Sequence, residues 1–203
     1  MTDRQLPDAM LALQPLVLKR TILLPYEFDS GKVFRELSWA IAWIKDGFDP
    51  DKEDDELRIV IRCQGIGGDT SDLLACIDLL KTESEDGTRI EGYLYGNCAS
   101  AHAAFWAASP YRYALPRGGI ELHSTRHYFY NTLIAPKDMR LAETDLRRIN
   151  RRQAEVFAAA CVDPEYDADY WVSILDEHPS ETVYIGAEDL VNKYQMCELY
   201  GDK

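Results

Sequence analysis

Apolar residues recur along the chain at two spacings, and the alternation between them sets the expected fold. TILLP (21–25) is a short apolar run that predicts a strand. In SGKVFRELSWAIAWIK (30–45), Val33, Phe34, Leu37, Ala40, Ile41 and Ile44 fall at helical spacing behind Ser30, which predicts an amphipathic helix capped by that serine. RIVIRC (58–63) predicts the next strand, and the glycine-rich loop QGIGGD follows at once. From Asp69, TSDLLACIDLL predicts a helix capped by Asp69 or Ser71; SEDG (84–87) then turns the chain into the strand IEGYLY (90–95). Gly96-Asn97 predicts a second turn, leading into the helical run ASAHAAFWAA. YRYALP (111–116) and GIELH (119–123) predict a strand pair around Arg117-Gly118. The longest periodic segment runs from Asp138 to Cys161, with Met139, Ala142, Leu146, Ile149 and Val156 along one side; two more helices are expected near 166–175 and 187–194.

Strands alternating with helices imply βαβ units, hence an α/β fold with a mostly parallel sheet flanked by helices. The 203 residues fit one domain, and a chain of this size buries roughly 70% of its unfolded surface without staples. Residues 1–19 are expected as an N-terminal segment and 20–203 as a single domain.

Charge narrows the partners. A net charge of −13 repels phosphate backbones and anionic lipid surfaces, so neither nucleic acid nor membrane is expected as a partner. The five cysteines contain no C-x-x-C pair, which disfavours a disulfide framework and a thiolate zinc site. The first twenty residues, with Asp3 and Asp8 ahead of the apolar patch, are unlike a signal peptide, and a cytoplasmic location is expected.

In open α/β sheets, sites gather at the carboxyl ends of strands. Three chemical features hold such positions here: Gly67-Gly68 after strand 58–63, Ser100 after strand 90–95, and His123 at the end of strand 119–123. A hydroxyl, an imidazole and backbone N–H donors are the inventory of acyl transfer. Each alone has a plainer reading, since a serine at a helix start is more often a cap or packing residue. QGIGGDTS is not the dinucleotide fingerprint, because Thr70 stands where the third glycine belongs. The surroundings of Ser100 miss G-x-S-x-G, with Cys98 and His102 at its glycine positions. His123 and His127 lie too far apart on a strand to share a metal, and His102, on another side of its helix from Ser100, reads as structural.

These blocks resemble the proteolytic subunit of the Clp protease, the ClpP family of the ClpP/crotonase fold. IVIRCQGIGG (59–68) resembles that family's strand and Pro-Gly-Gly loop, with Ile66 in place of proline. GNCASAHA (96–103) is similar to G-x-A-A-S-M-G-A, and RYALPRGGIELH (112–123) to R-x-x-x-P-x-x-x-I-M-I-H. The helix 138–161 resembles the family's handle helix, and YIGAEDLVNKYQMCEL (184–199) its closing F-L-S-A-like motif. The loop STRHYFYNTLIAPKD departs from the family, lacking His-Gln-Pro and the glycine-rich strand that lines its substrate channel.

The resemblance implies a serine peptidase acting on peptides or unfolded proteins without a cofactor or metal. Ser100 is the implied nucleophile and His123 the general base, with oxyanion donors from Gly67, Gly68 and Ala101. The third member of the triad falls to Asp176, with His178 and Glu177 as alternatives. A homo-oligomer, a heptameric ring or two stacked rings, is also implied. The family's AAA+ unfoldase partner is not carried over, because the N-terminal stretch is short and unlike its axial-pore loops. Two other readings stay open: an inactive ring subunit with an assembly or regulatory role, and a crotonase-type acyl-CoA enzyme.

Overall fold

A computed structural model describes residues 20–48, 56–126, 135–177 and 181–201. Fifteen elements follow in chain order: β1 (Thr21–Leu23), β2 (Glu27–Phe28), α1 (Lys32–Asp46), β3 (Arg58–Gly65), β4 (Gly67–Gly68), α2 (Thr70–Glu85), β5 (Arg89–Ala99), α3 (Ala101–Ala107), β6 (Tyr111–Ala114), β7 (Gly119–Leu122), α4 (Pro136–Ala160), α5 (Ala168–Glu177), β8 (Val183–Gly186), α6 (Ala187–Asn192) and β9 (Glu198–Leu199). A seven-stranded sheet runs β1-β3-β5-β6-β9, with β7 also on β5 and β8 on β7; β2 and β4 form a separate two-stranded ladder. Every pairing is parallel except β7 with β8, so the expected α/β fold with a mostly parallel sheet is what forms.

β5 is the central strand. Its residues Ile90 to Leu94 are buried without alternation, as a strand covered on both faces requires. One continuous core reaches from Ile22 to Met196, with Phe105 and Trp106 of α3 and Phe157 and Trp171 of α4 and α5 among its largest fully buried side chains. No helix among the described residues is long and apolar enough to cross a membrane.

Three local expectations are corrected. Ser30 does not cap α1: Gly31 takes the cap position at φ 70°, and the buried Asp72 of α2 accepts from the N–H groups of Val33 and Phe34 at 3.0 and 2.9 Å. A carboxylate from another helix thus does the work of a local cap. Asp69 does cap α2, accepting from Asp72 N–H at 2.8 Å.

Gly96-Asn97 is not the end of a strand. β5 passes through Gly96 at φ 61°, where its register against β3 shifts, and continues to Ala99. β6 and β7 are not a pair either. Both lie parallel to β5, one after the other along its length: β6 against Glu91–Leu94 and β7 against Asn97–Ala99. The continuation of β5 past its irregular stretch creates the second docking place.

α4 spans Pro136–Ala160, but the apolar stripe expected along Met139, Ala142, Leu146, Ile149 and Val156 is not the face it buries. Asn150, Gln153, Ala154, Phe157 and Ala160 are buried, whereas Met139 and Leu141 keep 58% and 55% of their surface exposed. Its arginines pair along the outer face, Arg147 with Glu143 at 2.8 Å and Arg151 with Glu155 at 3.3 Å.

Candidate active site

Ser100 has to turn the chain from a strand into a helix within one residue. β5 ends at Ala99 and α3 begins at Ala101, and Ser100 makes the turn at φ 54°, ψ −120° with no side-chain cap bond. For a residue with a Cβ, such a conformation costs on the order of 1–3 kcal/mol and persists only where the surroundings hold it. Here they do. Its N–H donates to the Glu121 carbonyl at 2.8 Å, its carbonyl accepts from Ala104 N–H at 3.2 Å, and the following helix is buried at every position.

The glycine turn closes over this residue. A Cβ built on Gly67 would meet Ser100 Cβ at 2.6 Å and Ala101 N at 3.1 Å; one on Gly68 would meet the Phe28 carbonyl oxygen at 2.1 Å. Both glycines also have positive φ, 104° and 131°, so each position excludes side chains on two counts.

His123 arrives along the neighbouring strand. β7 is parallel to β5 with Ala99 opposite Glu121, so the continued register sets Ser100 opposite Leu122, with His123 next. Adjacent strands lie roughly 4.8 Å apart, which brings the serine and the histidine to neighbouring strand ends. His123 Nδ1 lies 2.8 Å from the Ser124 carbonyl, and only a ring N–H can donate there. In the neutral ring Nε2 is then the free acceptor.

The chain just past His123 is held by α4 and α5. The Ser124 hydroxyl donates to the Leu175 carbonyl of α5, Thr125 N–H to Asn150 Oδ1 of α4 at 2.9 Å, and Gln153 Nε2 to Thr125 Oγ1 at 3.2 Å. Asp176 follows Leu175 in the last turn of α5 and is exposed. Among the described residues no hydrogen bond joins Ser100 to His123, or His123 to Asp176. His127, His178 and the side chain of Glu177 lie outside the described residues.

His102 is structural, as expected. It is fully buried beneath the glycine turn, where its Nδ1 accepts from Gly67 N–H at 3.0 Å and its Nε2 meets the Pro25 carbonyl at 2.7 Å. The Gly67 N–H is thereby committed to His102 and points to the ring rather than to open space. The sequence held one signal for this: His102 stands where the resembled motif has a glycine.

Cys63 and Cys98 lie below the site, their thiols pushed well up by burial, which leaves them protonated and inert. Among the described residues no group of three or more His, Cys, Asp or Glu is arranged to hold a metal ion.

No family model and no curated protein sequence matches the chain. Among solved structures it is similar to a mutant of ClpP1 from Listeria monocytogenes, with 14% sequence identity, a TM-score of 0.70, and coverage of 93% of this chain and 95% of that one. With strand order, glycine turn and strand-end serine in place, the chain has a ClpP-like fold.

Proposed function

We propose that the protein is a ClpP-like serine peptidase that hydrolyses peptide bonds inside an oligomeric ring. Ser100 attacks the peptide carbonyl; His123 Nε2 takes the hydroxyl proton and returns it to the leaving amine. The N–H groups of Gly68 and Ala101 receive the oxyanion, Ala101 being the first residue of a helix, whose N–H has no partner within the helix. The Ser124 carbonyl holds the histidine tautomer, and Asp176 supplies negative charge from the adjoining helix end. The observation that carries this reading is the strained Ser100 conformation, held beside the glycine turn at the ends of β5 and β7.

The exposed Met139 and Leu141 on the first half of α4 support the ring, since a stripe left open in one chain is what a second copy would cover. Sedimentation at micromolar concentration should give a species several times the 23.2 kDa chain; a clean monomer rejects assembly.

The test of activity is mass spectrometry of an unstructured peptide mixture incubated with the protein. Cleavage that is absent in Ser100→Ala supports the peptidase. No cleavage by either form favours the second reading, a catalytically weak ring subunit, for which the His123 ring bonded to Ser124 rather than to a carboxylate is the specific support.

A further inference from the structure

The resembled nucleophile motif has no side chain where this protein carries His102, so its ring adds something that motif does not need. The space for it is cut into the neighbouring strand: a Cβ on Gly65 would lie 2.6 Å from His102 Cε1 and Nε2. Phe28 packs edge-on against the ring at 4.8 Å between centroids. Both nitrogens are used. A backbone N–H can only donate, so Nδ1 accepts from Gly67, and Nε2 must carry the proton that it donates to the Pro25 carbonyl.

We infer that His102 is a positioning residue and a pH latch: its neutral ring ties the glycine turn beside Ser100 to the loop after β1, and protonation releases that turn. The imidazolium has two N–H groups and no acceptor, so Nδ1 would then face the Gly67 N–H donor to donor. Gly67 must move, and with it turn backbone so close to the serine that a Cβ on Gly67 would sit 2.6 Å from Ser100 Cβ and 3.1 Å from Ala101 N. The inference rests on the reading of Ser100 as nucleophile only for its catalytic consequence.

Among the acidic groups on the elements packed against α3 are Glu91 of β5, which is held by Arg58 and Arg89, Glu27 of β2, Asp69 and Asp72 at the start of α2, and Glu121 of β7. The last three are engaged elsewhere: Asp69 with Asp72 N–H, Asp72 with the start of α1, and Glu121 with Asn97. The thiols Cys63, Cys76 and Cys98 face the same interior and stay protonated at neutral pH, raised by burial. Burial pushes His102 itself below the usual imidazole value, against the pull of the Pro25 carbonyl, and no charged side chain enters that balance.

His102→Gln keeps one acceptor and one donor at similar spacing and cannot titrate, whereas His102→Phe keeps the ring and loses both bonds. Two measurements across pH 5 to 9 separate the latch from the chemistry: hydrogen exchange at the Gly67 amide, and the rate at which a fluorophosphonate labels Ser100. Expected for wild type is loss of Gly67 protection as pH falls through the His102 midpoint, with about tenfold slower labelling per further pH unit relative to His102→Gln. His102→Gln should restore at pH 8 the Gly67 protection that His102→Phe lacks. Gly67 protection that is independent of pH in wild type, or labelling profiles of wild type and His102→Gln that superimpose, overturns the latch. If Ser100 is labelled at no pH, the peptidase reading fails, and the exchange data alone decide the latch. If His102→Phe does not fold, the wild-type and His102→Gln comparison carries the test.

Discussion

Ser100 donates its backbone N–H to the carbonyl oxygen of Glu121 at 2.8 Å. This one bond ties the end of β5 to the end of β7, so the placement of the serine against His123 is a property of the backbone ladder. Removing the imidazole should therefore leave Ser100 where it is and take away only its base. His123→Ala should slow fluorophosphonate labelling by about 10² or more with an unchanged melting temperature. An unchanged rate would take His123 out of the mechanism.

Asp176 is expected to matter less than a triad aspartate usually does. In a chymotrypsin-type triad the corresponding change to Asn costs about 10⁴, largely through the wrong histidine tautomer. Here the Ser124 carbonyl already holds that tautomer. Asp176→Asn should slow labelling about tenfold. A loss near 10⁴ would mean that the carboxylate displaces Ser124 during the reaction, and no loss would remove Asp176 from the site.

The strain at Ser100 makes a separate prediction about stability. Ser100→Ala keeps a Cβ at φ 54° and keeps the strain, whereas glycine at the same position relieves it. In urea unfolding, Ser100→Gly should be more stable than Ser100→Ala by about 1 kcal/mol, after allowance for the greater flexibility of unfolded glycine. Equal stabilities would show that the turn is not strained.

The opposite ends of the same strands carry a charged cluster with its own pH signature. Glu91 is buried with Arg58, Arg89 and Tyr93 around it; Arg89 Nε donates to it at 2.7 Å, and Arg58 donates to its other oxygen. Burial opposes the carboxylate, but the hydrogen bonds from Arg89 and Arg58 outweigh it and its pKa is lowered. Stability from this group is present above the unfolded carboxylate value of about 4.3 and is lost as pH falls through the lower folded value. Thermal melts should show Glu91→Gln losing less stability than wild type over that acid range. Parallel pH curves would contradict this.

Much of the fold was legible because the buried strands and helices carry their own periodicity. Ile59, Ile61 and Cys63 alternate inward along β3, and Asp69 both announces and caps α2. The misread positions were those whose structure depends on distant partners. Gly96-Asn97 carries strong turn chemistry, but β7 supplies a pairing partner that draws Asn97 into the sheet. Ser30 was a sound local cap until Asp72, 42 residues later in the chain, took the N–H groups it would have capped. The strand-end positions of Ser100 and His123 were legible in the sequence, since β5 ends at Ala99 and β7 at Leu122. The contacts of His102 were not, because nothing in local sequence tells that Gly65 and Pro25 converge on it.

Whether Ser100 is an activated nucleophile is decided by intact mass after fluorophosphonate treatment. Wild type should gain one adduct, localised to Ser100 by peptide mapping, and Ser100→Ala should gain none. Equal labelling of both forms, or no adduct on a folded wild-type protein near pH 8, would mean that Ser100 is not the nucleophile.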